Sequence, residues 1–222
     1  MRYGNITKAR FIARPNRFTA DAEIDGIIET VHVKNTGRCR ELLIPGCEVW
    51  LTAPGTEGRK TKYDLVAVRK SNGLLINIDS QAPNKVAAEW LDTQGYSLII
   101  PEYRYGNSRI DFYMERDGGR YLMEVKGCTL EVDGTGYFPD APTERGVKHL
   151  RELAKAAQEG YNAILAFVIQ MDGVCEVLPN TDMHEEFGTA LEEARRAGVR
   201  VLFIMCHAEP DVLTCKEVRY DG

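Results

Sequence analysis

The chain has 222 residues, 44% of them hydrophobic and 27% charged, the balance of an ordinary globular protein forming one large or two small domains. No apolar run approaches the roughly 20 residues that span a bilayer, and the first residues lack the apolar core of a secretory signal, so no membrane partner and a cytoplasmic location are expected. The net charge of −5 excludes a nucleic-acid coat but is unevenly spread: residues 1–82 hold 13 Lys and Arg against 9 Asp and Glu, residues 83–222 hold 15 against 24. The first part therefore has charge to offer an anionic partner, although a plain surface imbalance accounts for it equally well.

Residues 6–13, 18–24, 27–33, 47–53, 65–69 and 74–78 read as short strands. Asp25-Gly26 and Asn72-Gly73 lie between alternating hydrophobics, the strongest short hairpin signal. Residues 36–46 hold a single helical turn, placed where an OB-type barrel carries its small helix. Residues 1–82 are thus expected to form an OB-like β-barrel domain. Arg14, Arg17, Lys34, Arg38 and Arg40 cluster near strand ends with Phe11, Phe18 and His32, the equipment of a single-strand binder. Aromatics at alternate strand positions are more often core, and His32 between two valines reads as a half-buried strand residue.

Residues 79–84 break the pattern and mark a domain boundary. Asn84 is placed to cap a helix over 85–93 that carries Glu89. A strand over 97–102 follows. A helix runs from Thr143 to a cap at Gly160, with Val147, Leu150, Ala154 and Ala157 as its buried stripe. Arg145, His149 and Glu152 share another face, with Lys148 near it. The apolar runs 163–170 and 199–206 flank a helix over 185–197, a β-α-β unit with right-handed crossover. Residues 213–218 add an edge strand. The fold class is α/β with an all-β N-terminal part, residues 83–222 forming an α/β domain on a mixed sheet.

The chemistry sits in the hairpin of residues 109–114 and 121–127. A turn at Asp117-Gly118 pairs Ile110 with Val125, Phe112 with Met123 and Met114 with Tyr121, an apolar face. The other face then sets Asp111 across from Glu124, with Lys126 two residues along. Facing Cβ atoms in such a pair are roughly 4.5–5.5 Å apart, so two carboxylates there need a shared proton or cation. Mg²⁺ or Mn²⁺ suits, since such ions take oxygen ligands and one or two carboxylates. A turn at Gly118-Gly119 pairs Asp111 with Lys126 instead but keeps all three on one face. A solvated face with an ordinary salt bridge is the competing reading. Six cysteines without C-x-x-C spacing are read as reduced thiols. No G-x-x-x-x-G-K-[ST] or G-x-G-x-x-G motif is present.

Asp111 followed by Glu124-Val125-Lys126 on the next strand resembles the PD-(D/E)xK nuclease-like fold. Asn35-Thr36-Gly37-Arg38 with Glu41-Leu42-Leu43, Glu124-Val125-Lys126-Gly127-Cys128-Thr129, and the run from Phe138-Pro139-Asp140 to Lys148-His149-Leu150 resemble the sugar fermentation stimulation protein family across nearly the whole chain. The resemblance implies an N-terminal OB-like domain, a nuclease-like C-terminal domain, DNA binding without strong sequence preference and a regulatory link to sugar use. Ile110 stands where the nuclease pattern commonly has a proline. The expected activity is metal-dependent phosphodiester hydrolysis. Asp111, Glu124 and the Val125 carbonyl would hold the metal, Glu89 being a further candidate, and Lys126 would orient water. Arg145, Lys148 and His149 would grip phosphate. The alternative is a non-catalytic DNA-binding regulator on a nuclease-like platform; a homodimer is a further expected assembly.

Overall fold

The computed structural model describes residues 1–35, 37–55 and 58–221; Thr36, part of the quoted motif and of the turn expected over 36–46, lies outside them. Six strands build the first part: β1 (Ile6–Ala13), β2 (Thr19–Ile24), β3 (Ile27–Val33), β4 (Glu48–Thr52), β5 (Asp64–Arg69) and β6 (Leu75–Asn77). Alternate residues such as Ala20, Ala22, Val31 and Val33 point inward and are buried. Asp25 (φ 49) and Gly26 (φ 82) take the left-handed conformations that a two-residue hairpin turn demands. The strand order is β3-β2-β1-β4-β5-β6, and a parallel pairing of β3 with β5 through His32–Asp64 and Val33–Leu65 closes the first five into a barrel. This is the OB arrangement. Between β3 and β4 the amides of Leu42 and Leu43 donate to the Cys39 carbonyl, making one helical turn whose Cys39, Leu42 and Leu43 side chains join the barrel core.

The second part begins with α1 (Ala82–Leu91) and continues through β7 (Leu98–Tyr105), β8 (Ser108–Arg116), β9 (Gly119–Cys128), β10 (Leu130–Val132), β11 (Thr135–Phe138), α2 (Glu144–Gln158), β12 (Asn162–Ile169), β13 (Val177–Pro179), α3 (Glu185–Arg196), β14 (Arg200–Glu209) and β15 (Val212–Tyr220). The main sheet runs β15-β14-β12-β9-β8-β7, with β9, β12 and β14 parallel and the other neighbours antiparallel. Strands covered on both faces must be apolar throughout, and β12 is buried from Ala163 to Ile169. α1 covers one face with Phe112, Met114, Met123 and Val125 beneath it, while α2 and α3 cover the other. Thr143 caps α2 by accepting from the Gly146 amide at 3.0 Å. Its buried stripe is Val147, Leu150, Leu153 and Ala156; Ala154 and Ala157, expected in it, sit only partly buried at its margin. A small sheet of order β10-β11-β13, absent from the sequence reading, packs beside the end of β9.

The boundary segment is not a loose tether. α1 starts at Ala82, because Pro83 fits a first helical turn where its missing N–H has no partner to lose. Asn84 therefore lies inside the helix and caps nothing. Asp79 is fully buried and accepts from Lys34 Nζ at 2.7 Å and the Tyr3 hydroxyl at 3.1 Å. Gln170, at the end of β12, donates to the Asn77 and Asp79 carbonyls at 2.9 and 3.2 Å. The larger apolar cluster runs unbroken from the barrel interior to α2 and α3.

Candidate metal centre and nucleic-acid cleft

The β8–β9 hairpin turns at Asp117 (φ 52) and Gly118 (φ 75), and its register pairs Phe112 with Met123 and Met114 with Tyr121. The ladder stops at Phe112. Beyond it the Asp111 side chain replaces a strand partner: Oδ2 accepts from the Val125 amide and Oδ1 from Asn84 Nδ2, both at 2.7 Å. Ile110 consequently leaves the expected apolar face and packs in the other cluster with Tyr113 and Leu122. On the neighbouring strand, Glu102 takes φ 54 at the missing β7–β8 pair opposite Asp111. Such a conformation costs a bulky residue about 1 kcal/mol or more, and it falls at the mouth of the site.

Glu124, only 2% exposed, is held from two sides. Its Oε1 takes a hydrogen bond from Lys126 Nζ at 2.6 Å and a shorter one from His149 Nδ1. Arg145 Nε donates to His149 Nε2 at 3.4 Å, so the ring carries its proton on Nδ1 and donates it to Glu124. Glu124 Oε2 is buried and has no partner among the described residues. Burial raises the Asp111 carboxyl above its ordinary range, with the Glu124 charge adding to the shift. Burial pushes Glu124 the same way, but the His149 bond and the Lys126 charge outweigh it and hold Glu124 below the usual range. The site thus has one firmly ionised carboxylate beside one that ionises with difficulty, the arrangement a cation would relieve.

Asp111, Glu124, Val125 and Lys126 line one open pocket of about 450 Å³ with Ser80, Asn84, Glu102 and Arg145. The geometry does not bring Glu89 there: its carboxylate is exposed on α1 and accepts from the amino group of Met1 at 2.7 Å. Asn84 is the α1 residue that hydrogen-bonds Asp111, with Lys85 of the same helix also lining the pocket, and α1 starting earlier than expected is why Asn84 lies within it. His149 is buried against Glu124 rather than presented to a phosphate. Lys148 is exposed on another stretch of α2, 3.8 Å from Glu152.

A second cleft, of about 690 Å³, lies where the barrel loops meet the segment after β11, with Arg17, Arg38 and Arg40 on one side and Pro139, Asp140 and Pro142 on the other. Arg17, Arg38 and Arg40 are exposed. Arg14 also borders it, but its guanidinium is committed to the carbonyls of Arg38, Asn35 and Arg17 at 2.7, 2.7 and 2.8 Å. Lys34 is tied to buried Asp79. Arg14 helps build the cleft, Lys34 is not part of its lining, and the charges of both are committed within the protein.

A family model described as the sugar fermentation stimulation protein RE domain matches residues 81–212, and one described as the SfsA N-terminal OB domain matches residues 12–78. The chain belongs to the sugar fermentation stimulation protein family. A homologue from Desulfitobacterium hafniense (strain Y51) is 53% identical over 215 residues, 95% of this chain and 93% of that one. Another from Clostridium beijerinckii is 48% identical over 221 residues, covering 98% and 97%. Among solved structures, Pyrococcus furiosus SfsA in complex with Ca²⁺ superposes with a TM-score of 0.85 at 29% identity, covering all of this chain and 96% of that one. The fold expected from the sequence, an OB barrel joined to an α/β domain with a mixed sheet, is thus the fold of this family. No helix among the described residues is long and apolar enough to cross a membrane.

Proposed function

We propose that this member of the family is a divalent-metal-dependent phosphodiesterase acting on DNA with little overall sequence preference. The observation that carries the reading is the unpartnered, buried Oε2 of Glu124 beside Asp111. A carboxylate oxygen kept from water and given no donor costs stability unless something cationic occupies the space. Asp111, Glu124 and the Val125 carbonyl are the oxygen donors for Mg²⁺ or Mn²⁺, a donor set that leaves positions for water and phosphate. The described residues offer no cluster of three His, Cys, Asp or Glu that could hold a metal, so Asp111 and Glu124 are the acidic ligands of the proposed site, with Glu102 at the pocket's rim. The Pyrococcus furiosus relative was solved with Ca²⁺, an ion of the same oxygen-seeking class.

A divalent cation bound there would lower the pKa of an attacking water and offset charge on the phosphoryl group. The chain's own residues supply position. Asn84 and the Val125 amide fix Asp111, and His149 fixes Glu124. Lys126, steadied by Glu124 Oε1, sets its ammonium at the edge of the same pocket, where it can orient water and offset developing negative charge. Arg145 lines the pocket, as does Lys85, and is the phosphate-binding candidate there. Arg17, Arg38 and Arg40 would hold the strand's phosphates in the barrel cleft.

The second reading is a DNA-binding regulator with an idle site. Oε1 of Glu124 is engaged by Lys126 and His149 together, which ties the lysine down. Cleavage of labelled single- and double-stranded DNA in Mg²⁺, Mn²⁺ or EDTA decides between them, with Asp111→Ala as control. Metal-dependent cutting lost in Asp111→Ala is the expected result. Binding in EDTA with no cutting under any metal would leave the regulator.

A further inference from the structure

Between the arginine cleft and the carboxylate pocket lies a third, smaller cavity of about 150 Å³, which no step of the proposed hydrolysis uses. It shares Gly37 and Asp140 with the cleft and Ser80 with the pocket, so a strand passing from Arg38 to Glu124 crosses its mouth.

Its lining is built and is rich in hydrogen-bond acceptors. Gln170 is 2% exposed and its orientation is fixed: Nε2 donates to the Asn77 carbonyl, to Asn77 Oδ1 at 3.1 Å and to the Asp79 carbonyl. That leaves Oε1 over Gly127, where a Cβ would come within 2.3 Å of it. No described residue donates to Oε1. Thr129, 7% exposed, also lines the cavity, and its hydroxyl makes no hydrogen bond with a described residue. Asp140 stands over Gly37 so closely that a Cβ there would lie 2.4 Å from Oδ2. Burial raises its carboxyl, with only its own amide and the Arg14 charge opposing the shift. Gly37 and Gly127 let these groups approach the backbone closely, Asn35 Oδ1 and Asp140 over the first and Gln170 Oε1 and the Pro83 ring over the second, where any side chain would displace them. The space equals roughly five waters at about 30 Å³ each, which is large for a stripped ion and suits one planar heterocycle.

We propose that this cavity receives one unstacked base of the bound strand by its donor edge, with guanine preferred. Guanine alone among the bases sets a ring N–H and an amino group side by side, two donors for the Asp140 carboxylate and the Gln170 Oε1 that line the same cavity. Base-edge hydrogen bonds of this kind read a splayed single strand, whereas the arginines of the cleft hold it without reading it. The proposal rests on the nucleic-acid reading of the preceding subsection and adds to it a preference at one nucleotide.

The test is fluorescence anisotropy in EDTA with labelled dT₁₂, with dT₁₂ carrying one central guanine, and with the same oligonucleotide carrying hypoxanthine, which lacks the amino group. The guanine strand should bind about tenfold more tightly than dT₁₂, the scale of one good bidentate base contact, and hypoxanthine should fall between. Asp140→Asn should bring the ratio of guanine-strand to dT₁₂ affinity to about one, whatever its effect on dT₁₂ itself, since Asp140 also borders the arginine cleft. Thr129→Val, a second near-isosteric change, should reduce it. Binding of all three strands with equal affinity overturns the base pocket and leaves the nucleic-acid reading intact. Binding of none overturns both. A guanine preference that appears only when Ca²⁺ replaces EDTA, or that Asp140→Asn retains, also overturns the proposal, the former making the cavity a cation site.

Discussion

Replacing Asp79 by alanine should loosen the joint that fixes the barrel cleft against the carboxylate pocket. Asp79 is fully buried, and its two oxygens satisfy three donors: Lys34 Nζ at 2.7 Å, the Tyr3 hydroxyl at 3.1 Å and the Gln81 amide at 2.9 Å. Truncation leaves the Lys34 ammonium, itself only 16% exposed, without its counter-charge. Breaking a buried pair from one side costs about 3–5 kcal/mol, because the remaining charge is stranded. For a chain of this size each kcal/mol lowers Tm by about 2–4 °C, so a drop of roughly ten degrees is expected in a thermal melt at pH 7. The double variant Lys34→Met/Asp79→Leu removes both charges and should recover much of that loss. The reasoning fails if Asp79→Ala melts within two degrees or so of the parent, a shift worth about 1 kcal/mol at most, or if the double variant melts no higher than the single one. Ser80 carries the consequence toward the site, since its amide and hydroxyl hold the Lys34 carbonyl at 2.9 and 2.7 Å.

Arg38→Ala should weaken DNA binding across all sequences and reduce the salt slope of log K by about one, with Tm unchanged, as read by anisotropy between low and moderate salt; an unchanged slope would remove Arg38 from the interface. The Lys70–Glu131 pair joins a barrel turn to β10 at 2.5 Å, and the Lys70 bond followed by the Gly134 amide lowers the Glu131 carboxyl. A depressed carboxyl contributes stability that is complete above its unfolded value, near 4.3, and is lost as pH falls through the lower folded value. Glu131→Gln should therefore melt below the parent at pH 7 and converge with it toward pH 3. A gap between the two that is constant with pH would deny the pair that role.

The hairpins were legible because their turns have a physical requirement that few residue pairs meet. Asp25-Gly26 and Asp117-Gly118 both adopt positive φ at both positions, and Asp-Gly tolerates that at little cost. Asp133-Gly134 does the same, at φ 49 and 83, yet the β10–β11 hairpin it closes leaves no periodic signal in the sequence. Its strands are three and four residues long, too short for a period of two to stand out. In sequence Pro83 marks a break between domains, whereas a proline is equally at home in the first turn of a helix. That one ambiguity moved the start of α1 and hid Asn84 from the site.

Residue types announced the chemistry of the site; the partners decided which of them remain available for it. Lys34, Arg14, Glu89 and His149 all have the charge or donor pattern of binding residues, and each is held by a group far away in sequence. Lys34 meets Asp79, Glu89 meets the amino group of Met1, His149 meets Glu124, and Arg14 closes a loop on three carbonyls. Nothing local to these residues reveals such commitments. Glu124 and Lys126 were legible for the opposite reason, since strand alternation alone puts them on one face; Asp111 is near them in sequence terms too, but it joins them across the break in the ladder at Phe112. Their distant supports, Asn84 from α1 and His149 from α2, then determine which oxygen is left open. The unpartnered Oε2 is thus a product of the tertiary fold acting on a motif that the hairpin already carries. The same fold places the barrel's arginines on a surface continuous with it, and on the proposed reading they offset the repulsion that the acidic half of the chain would exert on a polyanion.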